Sequence, residues 1–113
     1  MLYSYNMSSQ ANQDRVFRAL ASGTRRLLLD ALKAGPLTTG ALCEALTPLD
    51  RCTVMQHLKV LETADLVMVE RRGRERWNHL NPLPIKAVHD RWIGDYARRA
   101  VGFLAEVKDE LET

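Results

Sequence analysis

Arg51, Cys52, Thr53, Met55, Gln56 and Lys59 fall within one short stretch and supply cationic, hydroxyl, amide and thiol groups with little apolar area to bury. Side chains of this kind exchange hydrogen bonds and neutralise negative charge, so the stretch suits a polar, charged partner. A second group runs from Glu70 to Arg76, where Arg71, Arg72, Arg74 and Arg76 are set against two glutamates. Neither group resembles catalytic machinery. The chain has no glycine-rich phosphate loop, no Ser-His-Asp arrangement with supporting context and no HExxH, so no enzyme is expected.

The first group needs a helix to present it. Asp50 can cap that helix by accepting from the amides of Cys52 or Thr53, with Leu49 and Val54 at hydrophobic-staple spacing. Val54, Leu58 and Leu61 share the inward face, which leaves the polar group on the opposite side. After Thr63-Ala64-Asp65 the pattern changes to L-V-M-V-E-R, a strand, and Arg72-Gly73-Arg74 reads as a turn. R-W-N-H-L returns as a second strand that closes at Asn81-Pro82, where proline bars further pairing.

Upstream, Ser8 or Ser9 caps a first helix to about Ala21, with Val16, Phe17 and Leu20 on its inner side. Ser22-Gly23 interrupts it. A second helix from Gly23 to Lys33 turns Leu28, Ala31 and Leu32 inward and stops at Ala34-Gly35-Pro36, a glycine cap followed by a helix breaker. Thr38 caps a short third helix, in which Leu37 and Leu42 repeat the staple spacing. Thr47-Pro48-Leu49 then makes the tight connection expected between the two halves of a helix-turn-helix. From about Ile85 to Leu111 one last helix carries Ile85, Val88, Trp92, Tyr96, Ala100, Phe103, Val107 and Leu111 at spacings of three and four. At 1.5 Å per residue it would run roughly 40 Å, longer than a small domain can cover. Gly94 and Gly102 weaken it or mark close approach to another helix.

With 113 residues, 46% hydrophobic and 27% charged, the chain suits one globular core and is too short for two. We expect a single domain over 1–113, with 1–8 as a flexible extension and 84–112 as a long C-terminal dimerisation helix; Met7 offers an alternative start. The net charge of +2 says little, but its distribution says more: Glu106 to Thr113 holds four acids against Lys108, opposite in sign to the arginine-rich ribbon. The first residues lack a secretory pattern and no apolar run reaches membrane-spanning length, so a cytoplasmic protein with reduced thiols is expected.

Helix, helix, helix-turn-helix, two-stranded ribbon and long final helix give a mainly α chain with a small β-hairpin wing (α+β). This is the order of a winged helix-turn-helix of about five helices. The chain resembles the ArsR/SmtB family of bacterial repressors through V-F-R-A-L-A-x-x-T-R-R at 16–26, Q-H-L-K-V-L-E at 56–62 and the L-N-P that ends the wing. Within that family, Pro48-Leu49-Asp50-Arg51 with Asp90-Arg91-Trp92-Ile93 resembles the branch encoded beside START-like ligand-binding proteins. Two departures are visible: Ser22-Gly23 replaces the usual Asp-Pro before T-R-R, and Asp65 replaces the glycine that ends the recognition helix.

The resemblance implies a homodimeric repressor that binds double-stranded DNA at an imperfect inverted repeat and is released by a signal. Arg51, Cys52, Thr53, Met55, Gln56 and Lys59 then form the major-groove face. Gln56 suits adenine, Met55 a thymine methyl, and Arg51 and Lys59 phosphate or guanine. Arg72 and Arg74 follow a minor groove or phosphates at the wing, while His57 reads as a packed, hydrogen-bonded histidine. Val16, Phe17, Leu20, Val88, Trp92, Tyr96, Phe103 and Val107 form the dimer interface, with Trp92 and Tyr96 secondarily able to wall a pocket for a small-molecule effector. Many relatives sense metals, but Cys43-Glu44-Ala45 has one thiolate where the family's Cys-x-Cys has two, and His89 with Asp90 point in different directions. No metal or cofactor is therefore expected. A winged-helix protein-interaction module without DNA affinity is the competing reading; such modules lose the basic wing and polar helix face that this chain carries.

Overall fold

The computed structural model describes residues 7–112. Its described residues form α1 (Met7–Leu20), α2 (Gly23–Leu32), β1 (Leu37–Thr38), α3 (Thr39–Ala45), α4 (Arg51–Thr63), β2 (Val67–Arg72), β3 (Glu75–Leu80), α5 (Leu83–Trp92) and α6 (Gly94–Glu112). Three of the helices start on side-chain caps. Ser22 Oγ accepts the amide of Arg25 at 3.3 Å, Thr38 Oγ1 that of Ala41 at 3.1 Å, and Asp50 Oδ1 that of Thr53 at 2.7 Å. The Thr53 amide holds the Asp50 carboxyl below its usual 3.8. The cap is thus complete at neutral pH and is lost only as pH falls through that lowered value.

The end of α4 explains the departure at Asp65, which adopts φ +61°, the left-handed conformation that glycine usually supplies. Asp65 N–H donates to the Glu62 carbonyl at 3.0 Å and Leu66 N–H to the Leu61 carbonyl at 2.9 Å, the two bonds of a Schellman cap. Leu61 and Leu66 are both fully buried, which supplies the apolar contact that accompanies such a cap. The same core contains Leu28, Leu32, Leu42, Val54 and Leu58. Each fully buried leucine or valine contributes about 1.5–3 kcal/mol, so α2, α3 and α4 are fixed by one shared interior.

The winged helix-turn-helix expected from the sequence is present, with four differences in detail. A third strand, β1, pairs antiparallel with β3 through Leu37↔Asn78 and Thr38↔Trp77, giving the order β1-β3-β2. α1 begins at Met7, so Ser8 and Ser9 lie inside it rather than capping it. Residues 7 and 8 of the expected extension are therefore helical, while 1–6 lie outside the described residues. The long final helix is divided: α5 ends at Trp92, and Ile93, at φ −112°, separates it from α6. A β-branched residue beside Gly94 is a poor pair for a helix interior, which accounts for the break.

The fourth difference is the burial of α1. Val16 is 3% exposed within this chain's own core, with Ala19 beside it. Val16 thus packs into its own chain's interior, on the inner side of α1 that its spacing predicts. Phe17, expected inward, is instead exposed and packs its ring 6.1 Å from that of Trp92 on α5. α6 buries no residue. The radius of gyration, 18.6 Å, exceeds the roughly 13 Å of a compact domain of this length. Among the described residues no helix is long and apolar enough to cross a membrane.

Candidate nucleic-acid interface

Packing of Val54, Leu58 and Leu61 into the core turns the other side of α4 outward, and Arg51, Cys52, Gln56 and Lys59 are exposed there. Thr53 and Met55 are half-buried, Met55 against the core, so they form the edges of this face rather than its centre. Cys43 is a half-buried core neighbour and Cys52 is exposed. Among the described residues no three His, Cys, Asp or Glu side chains converge.

Arg25 ties the end of α1 to α4. Its Nε donates to the Ala19 carbonyl at 2.7 Å, its Nη2 to the Arg18 carbonyl at 2.9 Å, and its Nη1 meets His57 Nδ1 at 3.2 Å. Arg26 adds a bond to the Leu20 carbonyl at 2.6 Å. The T-R-R run therefore satisfies the free carbonyls at the end of α1, and through His57 it ties that end to α4. His57 is half-buried and hydrogen-bonded, in agreement with its reading as a packed histidine.

The wing is a two-residue hairpin. Arg72 pairs with Glu75, and Gly73 takes φ +61° at the first central position, as a type II′ turn requires. Strand alternation then divides the arginines. Arg71 pairs with Arg76 on the side of Val69 and Asn78, whereas Arg72 pairs with Glu75 on the side of Glu70 and Trp77. Arg71, Arg74 and Arg76 meet Arg51 and Met55 of α4 around an open cleft of about 340 Å³ whose one carboxylate is Glu75. Arg72 lies elsewhere, over the Trp77 ring at 4.6 Å and paired with Glu70 at 2.8 Å. Glu70 also meets His79 at 2.9 Å; Arg72 first and His79 second hold its carboxyl below the usual 4.5, so the clamp persists at neutral pH and is lost only in acid. Arg72 was expected at the DNA-facing turn beside Arg74, and the structure separates the two.

Two polar nodes fix the wing to the rest of the molecule. Asn78, fully buried, donates from Nδ2 to the Leu37 carbonyl at 3.2 Å and to Thr39 Oγ1 at 3.1 Å, and accepts from Arg76 Nε at 3.4 Å. Arg76 in turn pairs with Glu62 of α4 at 2.9 Å. At the other end, Asn81 Nδ2 donates to the Asp65 carbonyl at 2.8 Å and its own amide to the Leu66 carbonyl at 2.9 Å, which gives the L-N-P run its role. Neither node has a strong sequence signal, although the period of two would have put Arg71, Val69 and Asn78 on one side. Asn78→Ala is expected to destabilise the fold by about 1–3 kcal/mol through the unpaired groups it leaves. Urea denaturation, compared with Asn81→Ala, measures this.

Comparison with known proteins places this geometry. The helix-turn-helix domain family matches residues 20–70. The HTH-type transcriptional regulator Rv2034 of Mycobacterium tuberculosis is 38% identical over 104 residues, 92% of this chain and 96% of that protein. The crystal structure of an ArsR family transcriptional regulator matches with a TM-score of 0.65 and 26% identity, covering 90% of this chain and 98% of the other. The homodimeric winged helix-turn-helix DNA-binding domain of a possible ArsR-family regulator from Mycobacterium bovis shares the fold, with a TM-score of 0.61 and 24% identity over 97% of this chain and 92% of that one. A relative matched nearly end to end, a fold shared with ArsR-family structures and a basic cleft beside an exposed helix agree, and the chain belongs to the ArsR/SmtB-type winged helix-turn-helix transcriptional regulators, which bind DNA.

Proposed function

We propose that the protein is a cytoplasmic, homodimeric repressor that sets α4 in the major groove of an imperfect inverted repeat. Arg51, Cys52, Thr53, Met55, Gln56 and Lys59 line the groove face, and Arg71 and Arg74 grip the flanking phosphates. The observation that carries this reading is the cleft between α4 and the wing, where Arg51, Arg71 and Arg74 converge beside Arg76, itself paired with Glu62, and Glu75 is the one carboxylate in the lining. Its position beside the exposed face of α4 makes the two parts one continuous surface. The homodimeric state of the Mycobacterium bovis domain supports the assembly, and the unpartnered apolar residues of α6 supply a surface for it. We assign 94–112 to dimerisation and 7–93 to the DNA-reading body.

Fluorescence anisotropy on a duplex from the protein's own promoter tests the proposal. A dimer that neutralises roughly 6–10 phosphates should lose ~10³–10⁵-fold in affinity between 50 and 200 mM salt. Arg71→Ala with Arg74→Ala should flatten that dependence by about 0.9 in slope for each phosphate no longer neutralised. Arg72→Ala should change it less, because that guanidinium is already engaged by Glu70 and Trp77. Binding that ignores salt, or an Arg72 variant weaker than the Arg71 and Arg74 pair, would reject this assignment.

A further inference from the structure

A helix lying in a major groove has a phosphate backbone on each side of it. The wing cleft supplies cations on one side of α4, the side of Arg51 and Met55. The other side is not empty. There Gln56, Lys59, Val60 and Thr63 of α4 border a second open groove, about 440 Å³, whose far wall is α1 with Arg15 and Arg18. Its floor is apolar, formed by Val60 and Ala64, and no Asp or Glu lines it.

We infer that Arg15 and Arg18 of α1, with Lys59, form a second backbone clamp that grips the phosphates on the side of α4 away from the wing. The inference rests on the proposed placement of α4 in the major groove and adds a binding surface on a helix outside the helix-turn-helix. Three cations without a carboxylate among them make the groove electropositive and favour an anionic partner, and Gln56 and Lys59 belong to both the groove wall and the proposed base-reading face. The Arg18 carbonyl is occupied by Arg25, whereas Arg18 itself lines the groove. Arg15 donates to the neutral Asn12 and forms no ion pair among the described residues. The Arg25 bonds hold the end of α1 against α2 and α4, so this clamp is positioned by the residue that ties those helices together.

The test is the salt dependence of binding by the full chain, with Arg15→Gln and Arg18→Gln combined, on the promoter duplex and on a random duplex of equal length. The slope should fall by about 1.8 per protomer on both duplexes, since phosphate contacts carry no sequence information. Lysine at both positions should restore most of the slope. Thermal melting and sedimentation of each variant are measured alongside, and a glutamine pair with the wild-type slope overturns the inference. So does a lysine pair no better than glutamine, or a drop in affinity that follows a changed melting temperature or sedimentation coefficient. Gln56→Ala and the Arg71 and Arg74 pair are run in parallel to separate the two readings. If those weaken binding and the α1 pair does not, only the second clamp fails; if none of them matters, α4 is not in the groove and both fall.

Discussion

Arg25→Met is expected to destabilise the fold by about 2–4 kcal/mol and to weaken DNA binding in proportion to the disorder it introduces at α4. The magnitude follows from what the guanidinium does. Hydrogen bonds from charged donors contribute about 1.5–3 kcal/mol each, and Arg25 makes two to the carbonyls of Arg18 and Ala19 and one to His57. They share one side chain, so their effects do not simply add. Methionine keeps the apolar stem but offers no donor, so Ala19 loses the bond from Arg25, while the Arg18 carbonyl keeps that from the Ala21 amide and Leu20 keeps that from Arg26. Against a typical total of about 5–15 kcal/mol, the loss is large. Chemical denaturation gives the number, and His57→Phe provides the internal comparison. If His57→Phe matched the full cost, the carbonyl bonds would carry nothing and the capping role of T-R-R would be refuted.

Much of this was legible in the sequence because it is local. Caps at Thr38 and Asp50 act within three residues, so a side chain and its spacing are enough to read them. The inward face of α4 was legible for the same reason, through the period of Val54, Leu58 and Leu61. The departure at Asp65 was visible as a residue, but only the φ of +61° shows that it performs glycine's task. Pairing across distance was not legible: β1 is two residues long, and its partner lies some 40 positions on.

The wing shows how the bounds of a turn decide which arginines share a face. Reading Arg72-Gly73-Arg74 as the loop leaves Arg72 free to point anywhere. The actual loop is Gly73-Arg74, and once Arg72 belongs to the ladder the period of two assigns it to the face of Glu70 and Trp77. A shift of one residue exchanges the faces of a strand, so Arg71, and not Arg72, joins Arg51 at the cleft. Val16 illustrates a related limit. Helical spacing groups residues on a face, but it does not tell whether the chain's own core or a second copy covers that face.

Deletion of residues 94–113 is expected to leave a folded monomer whose affinity for the full operator is lower by ~10²–10⁴-fold. That factor is what joining two half-site readers contributes when both engage at once. The division of the final helix makes the cut clean: α6 packs on α5 and buries no residue, whereas Val88 of α5, half-buried against the core, is retained. An earlier cut at Pro84 would remove Val88 and the Phe17–Trp92 pair, and would confuse unfolding with dissociation. The apolar residues removed are those with no cover of their own, including Tyr96 at 76% exposure and Phe103 and Leu104 at 63%. Exposed large side chains in one array mark an interface, and a two-fold pair of such helices would hold two copies of α4 about 34–36 Å apart, one turn of DNA. Tyr96→Ala with Phe103→Ala should reproduce part of the effect while leaving Trp92 against Phe17. Sedimentation at micromolar concentration comes first: a well-folded wild-type monomer there would remove the dimer, and with it the spacing and the fall in affinity, whereas a dimer that survives the deletion would move the interface from α6 to α1 and α5.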